Sequence, residues 1–215
     1  MNELKILIPA RRNSKGLPFK NRTLFEDTIS TIPKELIGSV ILSTDDEYLI
    51  EKGNEIGINV CVRPDHLSVD ETSTKDVVSY HIDNGDIKLC DDIIMLYLTY
   101  PERTWDHVIR AYNSFKKNNS QSLLCKKELK GTHPYLYMLE DKNGKGKQLV
   151  KHNLYRRQDY PEVFEISHYI GIFSAVHVSK LNNNLYNEDT YFYKVGDVID
   201  VDTKDDLDGL FRKKD

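Results

Sequence analysis

The feature that most limits how this chain can fold is a repeated exchange between two hydrophobic periods. Short apolar runs rich in β-branched residues, "LKILIPA" (4–10), "SVILSTD" (39–45), "INVCVR" (58–63), "DIIMLYLT" (92–99) and "SLLCKK" (122–127), read as strands buried on both faces. Between them lie segments of helical period. "DDEYLIEKGNEIG" reads as a helix closed by Gly57. Thr72, Ser73 or Thr74 can cap a helix through Val77, Val78 and His81, and Thr104 can cap one that aligns Val108, Ala111, Tyr112 and Phe115. The resulting β-α-β order predicts a mostly parallel sheet with helices on both faces, a three-layer α/β/α sandwich of Rossmann-like form.

After about residue 128 the pattern changes. "PYLYMLE" and "HYIGIFSAV" read as strands separated by the polar "DKNGKGKQ" and by "YRRQDYPEVFE", a β-rich excursion from the main sheet. A last strand is expected near "DVIDVD", then a helix "TKDDLDGLF" capped by Thr203. At 215 residues the chain is expected to be one domain, 1–215.

Charge localises function. The 30 Lys and Arg residues against 34 Asp and Glu leave a net charge of −4, which disfavours nucleic-acid binding by the molecule as a whole. Within that acidic chain, "IPARRNSKGLPFKNR" (8–22) sets Arg11, Arg12, Lys15, Lys20 and Arg22 directly after a strand. A Gly-containing basic loop at the carboxyl end of a parallel strand is suited to phosphate. It lacks both G-x-x-x-x-G-K-[ST] and G-x-G-x-x-G, so neither a P-loop nor a dinucleotide fold accounts for it. The three cysteines, Cys61, Cys90 and Cys125, show no metal-ligand spacing and predict core positions in a reducing compartment. No window approaches a membrane span, and the expected location is the cytoplasm.

The string A-R-x-N-S-K-G-L-P-x-K-N, Ala10 to Asn21, resembles the signature of CMP-sugar synthetases that activate sialic acid and related 2-keto sugar acids. Ordered similarities follow in S-T-D (43–45), R-P (63–64), the D-x-T-S-T-like start of a helix, "TYPERT" (99–104), "RRQD" (156–159) and "IDVD" (199–202). The resemblance implies a nucleotide-diphospho-sugar transferase type of fold. It implies attack by the anomeric hydroxyl of a sugar acid on the α-phosphate of CTP, with departure of pyrophosphate.

By motif position the resemblance puts Arg11 and Lys20 on the triphosphate, with Ala10, Asn13, Lys15 and Asn21 around them and Arg63, Thr72 and Thr74 also facing CTP. Tyr97, Arg157, Gln158 and Phe164 would face the sugar acid. Arg157 matches an arginine that reaches a neighbouring subunit's site, so Arg11, Lys20 and Arg157 are the expected catalytic set and the expected assembly is a homodimer through roughly residues 130–170. Asp200 and Asp202 occupy the metal position, for magnesium, and alternation along a strand would put both on one face. The sequence departs from the family on the acceptor side, at Tyr97, Glu165 and His168, and is compact in "RTLFEDTIST" after Asn21. A Kdo-like octulosonate as acceptor, or a decayed nucleotide-binding relative, is the alternative reading.

Overall fold

The computed structural model describes residues 3–13 and 16–214, with side chains as far as residue 210. Lys15 lies outside the described residues. A seven-stranded sheet forms the middle layer, built from β1 (Leu4–Pro9), β2 (Val40–Thr44), β3 (Asn59–Val62), β4 (Asp92–Met95), β5 (Ser122–Glu128), β8 (Phe164–Ser174) and β9 (Thr190–Lys194). Their spatial order is β3-β2-β1-β4-β8-β5-β9. Only β8 runs against its neighbours, pairing antiparallel with both β4 and β5.

Alternation along the strands assigns each side chain to a face. Ile6, Ile8, Val40, Leu42, Ile94, Leu123, Cys125, Ile170 and Ile172 meet one set of helices. That layer comprises α1 (Lys20–Ser30), α2 (Glu47–Ile56) and α4 (Trp105–Lys117), which contribute Phe25, Leu49 and Phe115. On the other face Leu7, Ile41, Ile93, Met95, Leu124 and Phe173 pack under α3 (Thr74–Asp83), represented by Val78, and under Ala175, Val178, Leu181 and Leu185. The three layers expected from the sequence are present.

Helix ends follow local chemistry. Asp46 accepts the Tyr48 amide at the start of α2, and Gly57 ends that helix at φ 82°. Ser73 caps α3 and forms a reciprocal box with Asp76, while Thr104 does the same for α4 with His107. Thr203 and Asp206 exchange hydrogen bonds at the start of α5 (Lys204–Lys214).

Two local expectations are corrected. "RTLFEDTIST" is not a compact loop but most of helix α1, which buries Leu24, Phe25, Thr28 and Ile29. "DVIDVD" forms no strand, because β9 already occupies the position beside β5. Those residues are held by the Val201 N–H donating to the Thr99 carbonyl at 2.8 Å.

Between β5 and β8 the chain leaves the sheet. A separate hairpin pairs β6 (Met138–Glu140) with β7 (Gly146–Gln148), and Asp141 accepts the Asn143 and Lys145 amides in its turn. Tyr135, His152, Tyr160 and His133 form a ring cluster in the same excursion, in which Tyr135 stacks on His152 with ring centres 4.1 Å apart and the other pairs meet tilted or edge-on.

Candidate active site

Strands β1, β3 and β4 deliver their carboxyl ends to one cleft of about 390 Å³, beside the point where the strand order reverses. The basic loop forms one wall. It leaves β1 at Pro9 and re-enters regular structure at Lys20, the first residue of α1. Asn21 pins it by donating from Nδ2 to the Arg11 carbonyl at 2.8 Å. Gly16 passes so close to the Asp202 carbonyl that a Cβ there would collide with backbone, which explains the glycine. The Lys20 ammonium donates to Asp202 Oδ1 at 2.6 Å, and Arg11 pairs with Asp70.

Arg63 forms the floor. Its N–H continues the β2–β3 ladder to the Thr44 carbonyl, and its guanidinium donates to the Ser43 carbonyl at 2.9 Å. Burial pulls its pKa down to about 10, which leaves it a fixed cation at neutral pH. Across the cleft the Thr74 and Tyr97 hydroxyls share a hydrogen bond of 2.8 Å, and burial raises the Tyr97 phenol. His168 sits edge-on to Tyr97, ring centres 5.7 Å apart, with Nδ1 buried and unpartnered among the described residues. Burial lowers its pKa, and the neutral imidazole is therefore favoured.

Asp200 accepts the Tyr100 hydroxyl on Oδ2 at 2.7 Å. Its Oδ1 is buried and has no partner among the described residues. A bare buried carboxylate oxygen costs about 1–3 kcal/mol or more, and a cation held between Asp200 and Asp202 would remove that cost. The donors are hard oxygens, which suits magnesium, so the residues present fit such an ion.

Arg11, Lys20, Asn21, Arg63, Thr72, Thr74, Tyr97, Asp200 and Asp202 thus line a single cleft. Ala10 and Asn13 do not line it. Ala10 is buried at the strand end with its N–H donated to the Ser43 carbonyl, and Asn13 is exposed. Within one chain Arg157, Gln158 and Phe164 are also elsewhere. Arg157 and Gln158 lie in a single turn, Arg157–Asp159, with Arg157 beside Lys130, His133 and Tyr160. Phe164 opens β8 with the Lys126 ammonium 4.0 Å above its ring.

Three contributors escaped sequence reasoning. Asp70 and Tyr100 act through partners 59 and 100 residues away, which spacing cannot reveal. Arg103, almost fully buried, donates to the Tyr97 and Tyr169 carbonyls and fixes the strand end that carries Tyr97. Its signal in the sequence is its place in "TYPERT", just before the Thr104 cap, which does not reveal the two carbonyls it holds.

Residues 5–174 match the family model described as cytidylyltransferase. The chain belongs to that family. An N-acylneuraminate cytidylyltransferase of Streptococcus agalactiae is 28% identical over 217 residues, covering 94% of this chain and 51% of the relative. The chain therefore spans about half the length of that curated relative. A pseudaminic acid cytidylyltransferase of Campylobacter jejuni is 29% identical over 168 residues, 74% of this chain and 72% of its own length. Among solved structures, a CMP:2-keto-3-deoxy-manno-octonic acid synthetase complexed with CTP superposes at a TM-score of 0.68 and 14% identity, covering 99% of this chain and 100% of its own. A 4-diphosphocytidyl-2C-methyl-D-erythritol synthase from Anaerococcus prevotii gives 0.66 at 14% identity, covering 99% and 98%. At such identities these two likenesses concern the fold. No helix among the described residues is long and apolar enough to cross a membrane.

Proposed function

We propose that this protein transfers CMP from CTP to the anomeric hydroxyl of a 2-keto sugar acid of the sialic or pseudaminic kind, releasing pyrophosphate. The observation that carries this reading is the convergence of Arg11, Lys20 and Arg63 with Asp200 and Asp202 in one cleft. Three cations offset most of the charge of a triphosphate, and the two carboxylates would repel it unless a divalent cation stood between.

Arg11, Lys20 and Arg63 hold the triphosphate in line for displacement. A new oxygen–phosphorus bond forms at the α-phosphate as the bond to the β-phosphate breaks, and the proton of the attacking hydroxyl leaves with the departing pyrophosphate. Lys20 stabilises the charge that collects on the leaving pyrophosphate. Magnesium on Asp200 and Asp202 would supply further charge neutralisation at the phosphates. Tyr97, Thr74 and His168, all neutral, orient the acceptor by hydrogen bonding. Arg157 lies on the apolar excursion, and in this reading a second copy of the chain brings it to the neighbouring cleft, where a planar guanidinium suits the sugar carboxylate.

The test is pyrophosphate release with CTP and magnesium across a panel of 2-keto sugar acids, with ATP, GTP and UTP as controls. The expected result is release with CTP and a nine-carbon acid. Release with no acid, or equal release with other nucleotides, would overturn the assignment.

A further inference from the structure

Away from the cleft, three side chains of different chemistry converge behind the edge of the sheet. Cys61 comes from the middle of β3, His81 from the last turn of α3, and Asp86 from the turn that follows. Gly85, at φ 82°, reverses the chain so that Asp86 returns against the helix it has just left. The His81 Nδ1 and Asp86 Oδ2 are 2.8 Å apart, the Cys61 Sγ is 3.4 Å from the same oxygen, and one ligand atom from each residue falls within 4.8 Å of the others.

We propose that Cys61, His81 and Asp86 form a transition-metal site, suited to zinc, that clamps the end of α3 to the edge strand β3. Zinc bonds of about 2.0–2.3 Å to sulfur, nitrogen and oxygen require tetrahedral ligands roughly 3.3–3.7 Å apart. The sulfur–oxygen separation already has that value, and the nitrogen–oxygen pair needs to open by about half an ångström once a metal replaces the proton between them. Thiolate, imidazole and carboxylate together select zinc over magnesium, whose partners are oxygens. Two anionic ligands also neutralise a divalent ion. An open hollow lined by Lys5, Asn59, Cys61 and Asp86 gives access from solvent and room for a water as fourth ligand. His81 is fully buried, so the imidazole is held in place by packing before any metal arrives.

The location ties this site to the cleft. Arg63 follows Cys61 by two residues, and Thr74 begins the helix whose last turn holds His81. A metal here would brace both from behind. It would take no part in the chemistry, so its presence or absence is independent of whether CTP is the nucleotide.

The experiment uses the full chain, stripped with a chelator and titrated with cobalt(II) as a spectroscopic substitute for zinc. The expected result is a thiolate-to-cobalt charge-transfer band saturating at one cobalt per chain. Zinc added about 100-fold above its dissociation constant should raise Tm by roughly 5–10 °C. Cys61→Ser should abolish the band and Asp86→Asn should weaken both responses. Cys90→Ser and Asp200→Asn, which lie elsewhere, should leave the band intact. Absence of a band in the parent, or its survival in Cys61→Ser, would overturn the proposal.

Discussion

The cleft and the excursion between β5 and β8 are opposite solutions to the same folding problem. In the cleft most functional groups are fixed by a partner within the chain: Arg63 by a ladder amide, Lys20 by Asp202, Asp200 by Tyr100. The excursion has a two-stranded hairpin and stacked rings but little core, and it leaves Leu136, Tyr137, Met138, Leu139 and Leu149 exposed, with Tyr155 at 96%. A two-stranded hairpin is marginal in water by itself. Large apolar side chains exposed together on such a unit are the kind of surface that a proposed second copy would cover. The difference teaches that packing within one chain fixes most groups of the cleft, whereas the excursion leaves large apolar side chains uncovered, which the proposed second copy would bury.

The largest effect expected to sharpen this contrast is at Lys20. Lys20→Ala removes a cation from the triphosphate and leaves Asp202 unpaired, and kcat/KM should fall by about 10²–10³ with the circular-dichroism spectrum retained. Steady-state rates with CTP measure it, and parental turnover would separate the cleft from the chemistry. Gly16→Ala comes next. The added methyl must push the basic loop off the Asp202 carbonyl, and a misplacement of this order should cost roughly 10–100-fold in turnover with a smaller change in Tm.

Leu139→Asp addresses the excursion. If the exposed face meets a second copy, the charge should shift the apparent mass in sedimentation toward that of one chain, while CTP affinity of the cleft moves less than about threefold. An unchanged mass would break the comparison. The smallest effect belongs to Arg12. Its side chain is exposed and its contact to Asp45 runs through the backbone N–H, so Arg12→Ala should change stability by less than about 0.5 kcal/mol and leave KM for CTP unaltered.

The strands and most helices were legible because their residues satisfy local rules. β1 alternates faces residue by residue, Gly57 terminates α2, and Thr104 opens α4. Helix α1 was not, since Phe19 precedes it at φ 58° with no side-chain cap, although Leu24, Phe25, Thr28 and Ile29 carry a helical stripe. The direction of β8 has no local signature. An apolar run reads the same whichever way the strand points, and connections through the excursion decide it. The absence of a strand in "DVIDVD" was hidden because competition with β9 for the sheet edge is a tertiary matter.

Site residues divide in the same way. Arg11, Lys20, Asp200 and Asp202 could be named from motif and charge, whereas Asp70, Tyr100 and Arg103 belong to the cleft only through long-range packing. Arg157 and Phe164 lie outside the cleft within one chain, Arg157 beside His133 and Tyr160 and Phe164 under the Lys126 ammonium.

The bond between Lys20 and Asp202 joins residues 182 positions apart. On a ribosome, β1 and β2 can pair, and the basic loop can be in place, long before Asp202 emerges. The cleft therefore stays open on its carboxylate side until synthesis has passed residue 202, and a nascent chain stalled earlier would carry Arg11, Lys20 and Arg63 without Asp200 and Asp202, the carboxylates that complete the cleft.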